Sequence, residues 1–154
     1  MEIEKKLAQM GLELPPPSVP IANFVTAVRT GNILFVAGHV PRMPDGSFLN
    51  PGKLGRDVTV QQGYQSAQRA MLNCLSSIKA SIGDLDKVKR VVKLLCMVNS
   101  APDFGEQPRV ANGASDLLVN LYGERGRHAR SAVGMGALPF SNCIEIEMIV
   151  EVED

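Results

Sequence analysis

Cys143-Ile144-Glu145-Ile146-Glu147-Met148-Ile149-Val150-Glu151-Val152 reads as a β-strand with two unlike faces. Successive strand side chains point to opposite sides, so Ile144, Ile146, Met148, Val150 and Val152 share one face and Cys143, Glu145, Glu147, Ile149 and Glu151 the other. The first face needs an apolar cover, which directs attention upstream to amphipathic helices.

Two helices have the right pattern. Thr59-Val60-Gln61-Gln62 forms a capping box, and behind it Tyr64, Ala67, Met71, Leu75, Ile78 and Ile82 step by three or four and stop at Gly83. Val110, Ala114, Leu117, Leu118 and Leu121 make a second stripe between Pro108 and Gly123. The valine-rich run from Val88 to Val98 lies between the two helices and reads as a buried strand. Phe24 to Arg29 and Ile33 to Gly38 flank the turn cluster Thr30-Gly31-Asn32 and read as a hairpin. A further strand opens at Arg130. The order is β-β-α-β-α-β-β, an α+β fold with a mixed sheet and two helices on one face. The other face is left for water or a partner, so oligomerisation through it is expected.

At 154 residues the chain is expected to form one domain, with residues 1–20 as an N-terminal helix (Ile3 and Leu7) and a stiff Pro15-Pro16-Pro17 connector ahead of the core. Pro41 to Gly55, rich in Gly, Pro, Asn and Asp, reads as a surface loop. Sixteen Lys and Arg balance sixteen Asp and Glu, which leaves no field to attract nucleic acid or anionic lipid. Cys74, Cys96 and Cys143 are scattered and odd in number, as expected of buried thiols in a reducing compartment. The start Met1-Glu2-Ile3-Glu4-Lys5-Lys6 is charged where a signal peptide would be apolar, and no run is long enough to span a membrane, so a cytoplasmic location is expected.

Dinucleotide, Walker and nucleophile-elbow motifs are absent, and His39 and His128 lack metal-ligand spacing, so a cofactor-free site is expected. Arg130, ahead of Gly134 and Gly136, offers a planar fork suited to a small carboxylate, although a lone strand arginine more often pairs with a sheet glutamate. Glu145 lies on the face away from the helices, where partial burial would raise its pKa toward proton transfer; the pattern does not separate it from Glu147 or Glu151. His39 and His128 read as surface or turn residues, and Cys143 as a half-buried packing thiol. The expectation from these residues is that the last two strands wall a pocket for a small acid.

Ala129-Arg130-Ser131-Ala132-Val133, Leu138-Pro139 and Ile144-Glu145-Ile146-Glu147 resemble the C-terminal signature of the Rid family (reactive intermediate deaminases, YjgF-like or endoribonuclease L-PSP-like). Gly31-Asn32-Ile33-Leu34-Phe35-Val36-Ala37-Gly38-His39-Val40-Pro41 is similar to that family's early strand motif, and the resemblance runs from Phe24 to Val152. It implies a chorismate-mutase-like fold, a homotrimer with clefts between subunits, and hydrolysis of enamines or 2-imino acids to 2-keto acids and ammonia. Arg130 would bind the substrate carboxylate and Glu145, fifteen residues on, would activate water. Phe24 would line the cleft, Gly38 would offer backbone contact, and Ala132 stands where a cysteine would contribute to the cleft. The chain also departs from the family at Phe24 (tyrosine), Ala37 (serine) and Gly134 (glutamate), which marks a divergent branch with a reshaped pocket. A trimer that binds small carboxylates or partner proteins without turnover is the alternative. Ribonuclease activity is disfavoured by the balanced charge and the lack of an aromatic-basic platform.

Overall fold

A computed structural model describes residues 1–20 and 23–154. The strands are β1 (Ala27–Thr30), β2 (Ile33–His39), β3 (Val88–Asn99), β4 (Ala129–Met135) and β5 (Ile144–Val152). They form one sheet in the order β1-β2-β5-β3-β4, with β3 and β4 parallel and every other pair antiparallel. The parallel pair is joined through a helix, as a crossover connection requires. This is the expected α+β chorismate-mutase-like arrangement, and it places β5 beside β2 and leaves β4 on an edge.

The long helix α2 (Val60–Ile82) starts at the expected capping box: the Gln62 backbone N–H donates to Thr59 Oγ1 at 3.1 Å and the Thr59 N–H donates to Gln62 Oε1 at 3.0 Å. The helix α3 (Gln107–Tyr122) carries Pro108 in its first turn, where no donor is lost. Both lie on the face of β5 that holds Ile144, Ile146, Met148, Val150 and Val152, all buried.

Four expectations change. A third helix, α1 (Glu2–Gln9), joins the helical layer: Ile3 and Leu7 are 2% and 1% exposed and belong to the main core, so this segment is part of the fold rather than a prelude to it. The region from Pro41 to Gly55 is not wholly on the surface, since Leu54 is buried and bridges to Val58 and Ser100. Cys143 precedes β5 and is fully buried, so it is absent from the open face. His39 is buried between β2 and α2, with both ring nitrogens bonded to protein atoms. The thiols of Cys74, Cys96 and Cys143 are free and buried, as expected.

The second face of the sheet is exposed in the single chain. Phe35 on β2, opposite Ile149 on β5, is 47% exposed, and Val133 on β4 is exposed as well. Among the described residues no helix is long and apolar enough to cross a membrane.

Candidate functional site

A cavity of about 460 Å³ opens at the β2–β5 end of the sheet. Glu145 enters it from β5 and Gly38 from β2. The register of the two strands slips between Val36 and His39, and such a bulge re-aims the side chains around it. The result is close contact: a Cβ built on Gly38 would overlap the Glu145 carboxylate. Partial burial is the main cause that raises the pKa of Glu145, and Glu147 on the same face adds to it. A half-buried carboxyl of this kind holds and releases a proton more readily near neutral pH than a solvated one.

Polar and aromatic groups surround Glu145. His39 lines the cavity, its Nδ1–H donating to the Ala37 carbonyl at 2.6 Å. Nε2 lies 2.8 Å from the Ser77 hydroxyl and, in the neutral ring, accepts from it, so both ring nitrogens are used. Burial pushes its pKa down, consistent with that state. Asn73 donates to the carbonyls of Val40 and Arg42, fixing the chain after β2. Phe24, Phe48 and Phe140 form the apolar wall. Phe48 comes from the loop between β2 and α2, and its position was not legible because nothing in the sequence pairs it with Phe140. The two rings stack at 5.6 Å and 19°, and the Arg42 guanidinium lies 5.2 Å from the Phe48 ring centre.

Arg130 and Ala132 are elsewhere. Both lie on β4, two strands from β5, with Arg130 in register with Leu94 of β3. Arg130 Nη1 donates to Asn112 Oδ1 at 2.8 Å and to Ser115 Oγ at 3.0 Å, both on α3, so the guanidinium is on the helical side while Glu145 faces the open side. Ala132 packs against the core from the same side as Arg130. A single chain therefore brings Phe24, Gly38 and Glu145 together but not Arg130 with them, because β3 separates the two strands that were expected to share a wall. The arginine also lacks the sheet glutamate that a structural ion pair would supply: among the described residues its side-chain partners are neutral. Ser115 is anchored in turn by His128, whose Nδ1–H donates to the Gly126 carbonyl at 2.7 Å and whose Nε2 lies 2.8 Å from Ser115 Oγ. Where the resemblance puts a glutamate, a Cβ on Gly134 would sit 2.9 Å from the Gln107 amide, so that volume is already filled. Among the described residues no three His, Cys, Asp or Glu side chains gather as metal ligands.

The fold and cavity define a helix-backed mixed-sheet protein with an apolar pocket and a carboxylate at its floor. Comparison with known proteins gives the family: the model for "YjgF/chorismate mutase-like, putative endoribonuclease" matches residues 4–152. The chain belongs to this YjgF-like, or Rid, family, and the match takes in most of α1, which the motifs alone had left outside. It is 43% identical to protein TCP17 of Trypanosoma cruzi over 99% of this chain and 95% of the other. The solved structure of Atu1372 from Agrobacterium tumefaciens, of unknown function, is 43% identical with a TM-score of 0.91, covering 99% of this chain and 93% of that one. A putative endoribonuclease from Shewanella oneidensis MR-1 is 31% identical with a TM-score of 0.94, covering 99% and 100%.

Proposed function

We propose that the protein hydrolyses 2-imino acids and their enamine tautomers to 2-keto acids and ammonia in clefts between the subunits of a trimer. The observation that carries this reading is the setting of Arg130: its guanidinium donates to two neutral oxygens, those of Asn112 and Ser115, and with no acid beside it among the described residues it is available to pair with an incoming carboxylate. An edge strand carries it, so a neighbouring copy can present it to the cavity of another chain, and the exposed Phe35 and Val133 of the open sheet face supply the apolar surface for that assembly.

The chemistry needs little machinery. A water oxygen adds to the imine carbon as the C=N pair moves to nitrogen, which takes a proton; the carbinolamine hydroxyl then gives its proton to nitrogen as the C–N bond breaks, C=O forms and ammonia leaves. Glu145 takes the proton from the attacking water and returns it to nitrogen, a shuttle its raised pKa suits. Arg130 fixes the substrate so that the water and the carbon meet in one geometry. Ala37 and Ala132, which bring no hydroxyl or thiol to the cleft, favour a second reading in which the trimer binds such acids without turning them over.

Ammonia release from 2-iminobutanoate generated in situ tests the proposal, with Arg130→Ala and Glu145→Gln beside the wild type. Acceleration that both variants abolish supports it, and a wild-type rate equal to the spontaneous one sinks the hydrolase reading.

A further inference from the structure

We infer that the acid bound at this site carries a large flat apolar side chain, an aryl ring or a group of like size, seated against Phe24, Phe48 and Phe140. This deepens the reading of the cavity as a small-acid site and rests on it. Three of the chain's five phenylalanines line this one cavity. Two of them meet only because the loop after β2 folds across to the turn before β5. The cavity's volume of about 460 Å³ falls in the range of sites that enclose molecules well beyond a three- or four-carbon acid.

The turn that delivers Phe140 is built against its own backbone preference. Phe140 and Ser141 are consecutive residues in the left-handed region, at φ of 57° and 58°, where non-glycine residues are strained. Burial does not compensate, because Phe140 is 65% exposed. The conformation is tied instead to the loop, by the Gly52 N–H donating to the Ser141 carbonyl at 2.7 Å and by the Phe48 stack. Strain of this kind persists at ligand sites. Arg42 lies over Phe48 with no acidic partner among the described residues, so a cationic plane extends the aromatic wall. A ring entering between this wall and Phe24 would meet π-faces on more than one side, and Glu145 would remain at the polar end.

Calorimetric titration with phenylpyruvate and with pyruvate tests the inference on the wild type, Phe48→Ala and Phe140→Ala. The wild type is expected to bind phenylpyruvate at least about tenfold tighter than pyruvate, the size of one to two aromatic contacts. Each variant should lose most of that preference, through a larger loss of phenylpyruvate affinity than of pyruvate affinity. The exposed Phe140 can be removed without threatening the core, which keeps the test valid if Phe48→Ala fails to fold. Pyruvate bound as tightly as phenylpyruvate, or a preference that survives both variants, overturns the aryl inference and leaves the proposed function standing. No binding of either acid overturns the small-acid reading and this inference with it. A change of oligomeric state in Phe140→Ala, with no change in preference, would assign the rings to a subunit contact and overturn the inference as well.

Discussion

Gly38 and Glu145 face each other across the β2–β5 pair so closely that no side chain fits between them. Gly38 has no left-handed φ, so alanine would meet no backbone strain there. The clash is with the end of a flexible side chain, and Glu145 can swing aside at small cost. Gly38→Ala should therefore keep the melting temperature within a few degrees while displacing the carboxylate by about the width of a methyl group. Misplacement on that scale costs about a hundredfold in rate. Steady-state ammonia release with a melting curve on the same preparation checks this; unchanged turnover would show that Glu145 is not the proton shuttle.

Ser115 has a narrower effect. Burial favours the neutral His128 ring, in which Nδ1–H donates to a carbonyl and Nε2 accepts from the Ser115 hydroxyl, while the Ser115 oxygen accepts from Arg130. Ser115→Ala removes one of the two tethers of Arg130 and leaves Asn112 as the other. One such bond contributes about 1 kcal/mol, so binding of 2-oxobutanoate should weaken about five- to tenfold, with the arginine's charge intact. Calorimetry on wild type and variant gives the ratio. An equal affinity would mean that Asn112 alone sets the geometry.

These relationships mark the limit of what the chain discloses before folding. The helix α2 and the strand β5 are legible because each repeats one period over its whole length and α2 carries its own cap. The helix α1 has only Ile3 and Leu7 to show, too few to reveal that they enter the core. His39 looked like a surface residue because its partner, Ser77, is on another element. Phe48 and Phe140 are likewise joined only by the course of two irregular segments. Arg130 and Glu145 could be chosen from family motifs, but the strand order that parts them is a property of pairing, which period and propensity do not encode.

The contact between α2 and α3 gives a test of the fold. A Cβ on Gly113 would collide with the Tyr64 backbone carbonyl and lie 3.1 Å from the Ala67 Cβ. Alanine is the better helix former by up to about 1 kcal/mol. Backbone cannot turn aside as a side chain can, so overpacking should win and Gly113→Ala should cost a net of about 2 kcal/mol. Urea unfolding followed by circular dichroism measures it, and a stabilised variant would show that the helices stand further apart.

Acid should weaken the fold through His39. Burial lowers its folded pKa below the ordinary value of 6.5, while in the unfolded chain it titrates normally. Well above pH 6.5 the ring is neutral in both states and contributes nothing to the pH dependence. As pH falls below that point the unfolded chain takes up a proton that the folded chain refuses, so stability drops, by at most about 1.4 kcal/mol per pH unit, until the folded ring protonates too. Unfolding free energies at pH 7.5 and 5.5 should therefore differ by less in His39→Gln than in the wild type. An identical difference would place the acid sensitivity elsewhere.

The open sheet face is the last to test, and Phe35 is its best probe. It lies opposite Ile149, on a strand whose other side chains Leu34 and Val36 already fill the core. A phenylalanine half in water on a flat sheet is stabilised when a second copy covers it, and a glutamate in its place would carry a charge into that contact without a counter-ion. Phe35→Glu should leave the chain folded, because the substituted side chain points away from the helices, yet shift the proposed trimer to single chains in light scattering at micromolar concentration. If Arg130 of one copy serves Glu145 of another, imine hydrolysis should disappear with the trimer. A variant that remains trimeric would move the interface off this face, and a monomeric variant with full activity would require both residues to act within one chain, which the intervening β3 strand opposes.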